Sequence, residues 1–264
     1  QLTQLGLQLT KSGDNFAPRF SEDGHKIIFV SQKRSLHPQA QAYLFDLDSL
    51  KEKRLTYQNG QVSEVFLDQN NFVYVSTTDE EKEQALYFAN AKPSENQRPQ
   101  SEIYISNLSG TQIQRKTHHP GFDGQLILQK KSEAYFLRQD QQQLSLWQIS
   151  FSATDKDHSK LLFNIPKDLN SSLKQITVSN NGKNWLWQQD NLIFWSANKI
   201  PFNQPTLINL PAGIYQNISW WDDKKIILSA KSSEISPSVF SKNFQIYVYD
   251  LEKKCLSQWI QSAN

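Results

Sequence analysis

The densest group of side chains able to do chemistry is His118-His119, with Asp123 close behind. Imidazole nitrogens and a carboxylate would suit zinc or a similar ion. Adjacent residues on a strand point to opposite sides, so both histidines reach one ion only if the backbone turns. Pro120-Gly121 offers such a turn. A polar loop carrying an edge histidine meets the same pattern without a metal, and no metal or cofactor is expected. Acid–base chemistry on a glycan would need two carboxylates about 5–10 Å apart. The candidates are Glu64, Asp14 and Asp123. Nucleophilic and phosphate chemistry find no support: the chain has no Gly-x-Ser-x-Gly, no His-Glu-x-x-His and no phosphate loop. The single cysteine, Cys255, excludes an internal disulfide and has no base beside it in sequence. No catalytic residue is assigned.

Repeated elements must position these groups. A tight polar turn recurs at Asp23, Asn70, Lys131, Asn181 and Asp223, with spacings of 47, 61, 50 and 42 residues. Periods of about 40–50 residues built from short strands indicate propeller blades. Each turn is followed by an apolar strand: Lys26–Ser31, Phe72–Ser76, Ala134–Arg138, Trp185–Gln188 and Lys225–Ser229. A second, alternating strand follows each: Ala42–Asp46, Glu102–Ser106, Leu144–Ile149, Leu192–Ser196 and Gln245–Asp250. An alternation of two is the period of a strand. Weaker, polar strands complete the sets at Lys53–Thr56, Gln112–Thr117, Lys160–Leu162, Thr206–Leu210 and Cys255–Ile260. No helix is expected.

The fold class is therefore all-β: one propeller domain, residues 1–264, of four-stranded antiparallel blades. Five blades are recognisable, near 11–57, 58–118, 119–164, 165–211 and 212–261, and a sixth is possible. Residues 1–10 would act as a closing strand, because Leu5–Thr10 ends on the same Leu-Thr pair as Leu55-Thr56. Cys255–Ile260 competes for that slot. Three polar insertions, Thr78–Gln100, Ala153–Ser159 and Lys231–Lys242, fall on loop faces.

The innermost strands are expected at Asn15–Ser21, Val62–Leu67, Gly124–Gln129, Lys174–Ser179 and Tyr215–Trp220. Their one internal carboxylate is Glu64, with Asp14 and Asp123 at the mouths. Amides, hydroxyls and Arg19 make up the rest, a lining for hydrogen bonding rather than acid–base work. Of Trp220-Trp221, at least one ring should be exposed, and an exposed tryptophan can anchor a partner. The candidate contact residues are Asp14, Asn15, Arg19, His118, His119, Asp123 and Trp220, gathered where the fourth strand of one blade leads into the first of the next.

With 28 basic and 26 acidic residues the net charge is +2. Such a balance makes no field to gather nucleic acid. No apolar run approaches the roughly 20 residues of a membrane helix. Methionine is missing even at position 1, so Gln1 is expected to follow a removed export segment.

The phrase Ala17-Pro18-Arg19-Phe20-Ser21-Glu22-Asp23-Gly24-His25-Lys26-Ile27-Ile28-Phe29-Val30-Ser31 resembles the WD-like repeat of TolB-type β-propellers. Glu102–Gly110 is similar to the later strand and turn of that repeat, and Thr117–Gly124 to its inter-blade link. The likeness is strong over residues 3–125 and weak beyond 126. It does not extend to the separate domain that precedes the propeller in TolB. The resemblance implies a periplasmic or otherwise exported scaffold that binds a protein, peptide or envelope component. Alternatives are a glycan hydrolase or lyase acting at a channel mouth, or the lid of a prolyl-oligopeptidase-type peptidase.

Overall fold

The computed structural model describes residues 8–34, 38–68, 70–77, 100–130, 133–140, 143–151, 159–170, 172–179, 181–197, 202, 204–232 and 240–259. It contains five four-stranded antiparallel sheets, each strand pairing with its neighbours in sequence. This is an all-β, five-bladed propeller fold. The chain divides into two compact units, residues 1–161 and 162–264.

The first unit opens with β1 (Asp14–Phe20), β2 (Lys26–Gln32), β3 (Gln41–Asp46) and β4 (Lys51–Arg54). The second blade is β5 (Val62–Asp68), β6 (Asn71–Ser76), β7 (Glu102–Asn107) and β8 (Gln114–Arg115). The third is β9 (Phe122–Lys130), β10 (Glu133–Asp140), β11 (Gln143–Ser150) and β12 (Lys160–Asn164), in which the unit boundary falls.

The pleat of β6 shows how these blades hold together. Phe72 and Tyr74 point to one side and pack with Ile28, Val30 and Leu44 of the first blade. Val73 and Val75 point to the other and pack with Leu126, Phe136 and Ile149 of the third. A strand buried on both faces reads as a near-continuous apolar run, and Phe72-Val73-Tyr74-Val75, β-branched and aromatic throughout, satisfies that. Each such side chain contributes about 1.5–3 kcal/mol on burial.

In the second unit, the helical turn α1 (Lys167–Asn170), absent from expectation, precedes β13 (Leu173–Val178), β14 (Trp185–Gln189), β15 (Leu192–Ser196) and β16 (Thr206–Leu207). Then come β17 (Ile214–Trp220), β18 (Lys225–Lys231), β19 (Gln245–Asp250) and β20 (Cys255–Gln258). Leu186, Ile193 and Ile208 pack against Ile218, Ile226 and Leu228 between these two blades.

Every expected first-to-third strand is found. Of the fourth strands, β8 and β16 are shorter than expected, with two residues each, whereas β4 keeps its length two residues earlier and β12 runs on to Asn164. The edge beside β19 is taken by β20, with Tyr247 opposite Gln258 and Asp250 opposite Cys255. The closing strand expected at Leu5–Thr10 lies largely outside the described residues, and residues 8–10 are not in a strand. Most of the three polar insertions also lies outside them.

All five first strands share a device that the alternation hides. Each carries a register shift in its pairing: Phe16/Arg19, Val62/Glu64, the Gly124–Ile127 stretch, Leu173/Gln175 and Gln216/Ser219. Ala17, Gln125 and Asn217 take left-handed φ angles of 49°, 51° and 54° there. A bulge re-aims side chains at the strand where it sits.

Candidate functional site

The link from each fourth strand to the next first strand places the candidate residues. In the first unit two such links are built alike, offset by 61 residues. In the link after β4, the Thr56 hydroxyl accepts from the Ala42 amide at 2.9 Å, and Val62 N donates to Ala40 O at 2.9 Å. In the link after β8, Thr117 accepts from Ile103 N at 3.0 Å, and Asp123 N donates to Ser101 O at 2.9 Å. A glycine sits at one place in both. A Cβ on Gly60 would lie 2.2 Å from Thr77 O, and one on Gly121 2.1 Å from Gln139 O. Only glycine lets the link pass that close to the neighbouring backbone.

The side chains under the two links differ. Gln41 is fully buried and donates through Nε2 to Gln58 O (3.0 Å) and Gly60 O (3.1 Å). Its counterpart is Glu102, also fully buried. Glu102 accepts from Arg115 Nη2 at 2.8 Å, Thr117 Oγ1 at 2.5 Å and His119 N at 2.9 Å. Removal from water pushes its pKa up to about 7, against the pull of Thr117 and Arg115.

Asp123 is a further buried carboxylate. Arg138, across the β9–β10 pair, holds it bidentately at 2.7 and 2.8 Å. Burial raises the Asp123 pKa, and Arg138 opposes the rise. Asp123 is therefore a packing element and not an open ligand at a mouth. His119 is half-buried; its Nδ1 accepts from Gly121 N at 3.0 Å, and its Nε2 lies 3.9 Å from Asp140. His118 is exposed.

Asp14 pairs with Lys33 at 2.6 Å on the surface. Asn15 accepts from Arg34 Nη2 at 3.1 Å, and Arg34 also grips both oxygens of Glu52, at 2.7 and 3.2 Å. The Arg34 guanidinium lies over the Tyr43 ring at 4.5 Å. Asp14 and Asn15 thus bond with Lys33 and Arg34 of their own blade, while His119 and Asp123 bond with Gly121 and Arg138.

Arg19 stacks on Phe66 at 3.9 Å. It keeps solvent access but is ringed by protein, so partial desolvation lowers its pKa while Glu64 pulls the other way. Glu64, the one carboxylate expected inside an inner strand, accepts from Gln125 N (2.6 Å) and Leu126 N (2.9 Å) at the β9 bulge. In the second unit Gln175 does the same work: it accepts from Ile218 N (3.2 Å) and donates to Ile218 O (2.8 Å).

Trp220 does not serve as an exposed anchor. It is 9% exposed and belongs to the core of its unit. The β17 bulge sets the phase, so that Tyr215, Ile218 and Trp220 turn inward together. The exposed member of the pair is Trp221, whose ring centroid is 4.2 Å from that of Trp259.

Sequence reasoning missed Glu102, Arg115 and Arg138. Superimposing 41–62 on 102–123 would have aligned Glu102 with Gln41, Arg115 with Arg54 and Thr117 with Thr56. Among the described residues no group of three or more His, Cys, Asp or Glu side chains could hold a metal ion.

No family model and no curated protein matches the sequence. Solved structures do match in fold. TolB from Acinetobacter baumannii aligns with TM-score 0.63 at 15% identity, over 94% of this chain and 55% of that one. The putative TolB from Agrobacterium tumefaciens aligns with TM-score 0.64 at 9% identity, over 95% and 82%. An oligogalacturonate lyase in complex with manganese aligns with TM-score 0.58 at 14% identity, over 95% and 66%. The fold is that of a TolB-type β-propeller. At such identities the likeness is one of fold alone, and the chain spans only 55% of the Acinetobacter structure.

Proposed function

We propose that this propeller is a non-catalytic scaffold, exported to the periplasm or cell envelope, that docks a protein or peptide partner through the face bearing the inter-blade links. One observation carries the reading: the carboxylates best placed for chemistry are engaged in internal bonds. Glu64 is held by two backbone amides, Glu102 by Arg115, Thr117 and His119, and Asp123 by Arg138. A general acid or base needs an oxygen open to substrate. What the links leave at the surface is recognition chemistry: the exposed His118 and the Asp14–Lys33 pair. Asn15 and Arg19 add exposed groups on β1, and His119 lies half-buried beside His118.

Crosslinking mass spectrometry of the purified chain with an envelope fraction tests the reading. A partner joined at Lys33, and lost in the His118→Ala variant that keeps Lys33, is the expected result. Crosslinks confined to the opposite turns around Asp23 and Asp48, or cleavage of polygalacturonate by the purified chain, would overturn it. Osmotic-shock fractionation of cells carrying the native gene tests export separately.

A further inference from the structure

Glu102 stands at the head of β7 with no solvent exposure, and the bonds of its carboxylate reach the stretch from β8 into the next blade. Arg115 and Thr117 donate from their side chains and His119 from its backbone. Arg115 is itself only 12% exposed and points its Nε at Thr117 O, 3.0 Å away. One carboxylate thus gathers residues 115, 117 and 119 around a single point. We propose that Glu102 is a proton-operated latch on the link between β8 and β9. As a carboxylate it accepts three hydrogen bonds and neutralises Arg115. Once protonated, one of its oxygens becomes a donor, the ion pair is gone, and the link that carries His118 and His119 is held less tightly.

Several charged or titratable groups surround it. Arg115 comes from β8; the buried Lys116 and the half-buried His119 come from the link; Asp123 comes from β9. Behind them on β10 stand Arg138, paired with Asp123, and Asp140, near His119. The facing strand β6 sets Ser76 opposite Glu102 and contributes no charge there. Burial raises the midpoint from an ordinary 4.5 to about 7, so the change of state falls near neutrality. The linkage has a definite sign. The folded chain holds this proton more tightly than the unfolded one. The stabilisation from proton binding is complete below about 4.5 and is lost as the pH rises through about 7. Acidification therefore loosens one link without weakening the fold through this group.

Carboxyl-detected NMR of the wild-type chain, labelled at glutamate and aspartate, reads the latch directly. The Glu102 carboxyl is expected to titrate near neutrality, and the His119 amide is expected to shift with it. Protection of that amide from exchange should fall several-fold between pH 8 and pH 6. In Glu102→Gln the His119 amide should lose the response that follows the Glu102 carboxyl. A Glu102 midpoint near 4.5, a midpoint carried by Asp123 instead, or an unchanged amide response in Glu102→Gln would each overturn the proposal. If Glu102→Gln does not fold, the wild-type carboxyl titration decides the matter alone.

Discussion

The links after the first and second blades have the same backbone and opposite polar fillings. Both use a threonine hydroxyl, a glycine at close approach and an arginine bonding back to the threonine carbonyl, Arg54 to Thr56 O and Arg115 to Thr117 O. Beneath the first, the groups turned inward are the carbonyls of Gln58 and Gly60. Beneath the second, the group turned inward is the amide of His119. Carbonyls need a donor, and Gln41 supplies one; an amide needs an acceptor, and Glu102 supplies one. The residue follows from the polarity that the backbone presents. The first link is also less well satisfied. Among the described residues Gln41 Oε1 and Arg54 Nη2 are buried without a hydrogen-bond partner, whereas Arg115 Nη2 meets Glu102. Neutral glutamine tolerates that mismatch; a buried carboxylate would not.

The comparison predicts an asymmetry between the two arginines. Removing one partner of a buried ion pair leaves an uncompensated charge, at about 3–5 kcal/mol. Arg115→Ala should approach that cost in urea denaturation at pH 8. Arg54→Ala removes one hydrogen bond and a stack on the exposed Tyr57, and should cost about 1 kcal/mol. Equal costs would break the comparison. The two glycines should instead behave alike, because the shared part of the links is backbone. Gly60→Ala and Gly121→Ala each force a Cβ against a carbonyl oxygen at 2.2 and 2.1 Å. Each should lower stability by about 1–3 kcal/mol, typical of overpacking. A tolerated alanine at either position, read from its thermal midpoint, would show that the links are not equivalent.

The sequence made the repeats plain because turns and β-branched runs recur at a blade's spacing. Strands β1–β3 and their counterparts follow from alternation and from turns such as Glu22-Asp23-Gly24. Buried polar pairing was not legible in the same way. Asp123 looks like a loop carboxylate until β9 and β10 are set in register, which places Arg138 opposite it. Glu102 follows a polar insertion and heads an alternating strand, where nothing adjacent in sequence marks a buried carboxylate, yet it is fully buried. Trp220 was misplaced for a third reason. A bulge of one residue inverts the faces of everything beyond it, and nothing in Gln216-Asn217-Ile218-Ser219 marks the bulge. Side-chain alternation is a local signal; which polar group meets which across strands depends on register.

The finest test exchanges the two fillings. Gln41→Glu would bring a carboxylate to the carbonyls of Gln58 and Gly60, where Gln41 now donates to both. Repulsion and desolvation should outweigh any new contact with Arg54, at a net loss of about 1–2 kcal/mol. Glu102→Gln is milder. A glutamine can turn its oxygen toward Arg115 and the His119 amide and its nitrogen toward the Thr117 oxygen. Hydrogen-bond count survives while charge is lost, so the cost should stay below about 1 kcal/mol. Urea midpoints of the two single variants measure the difference directly. A smaller loss for Gln41→Glu than for Glu102→Gln would mean that the arginine, and not the polarity of the link backbone, selects the residue at this position.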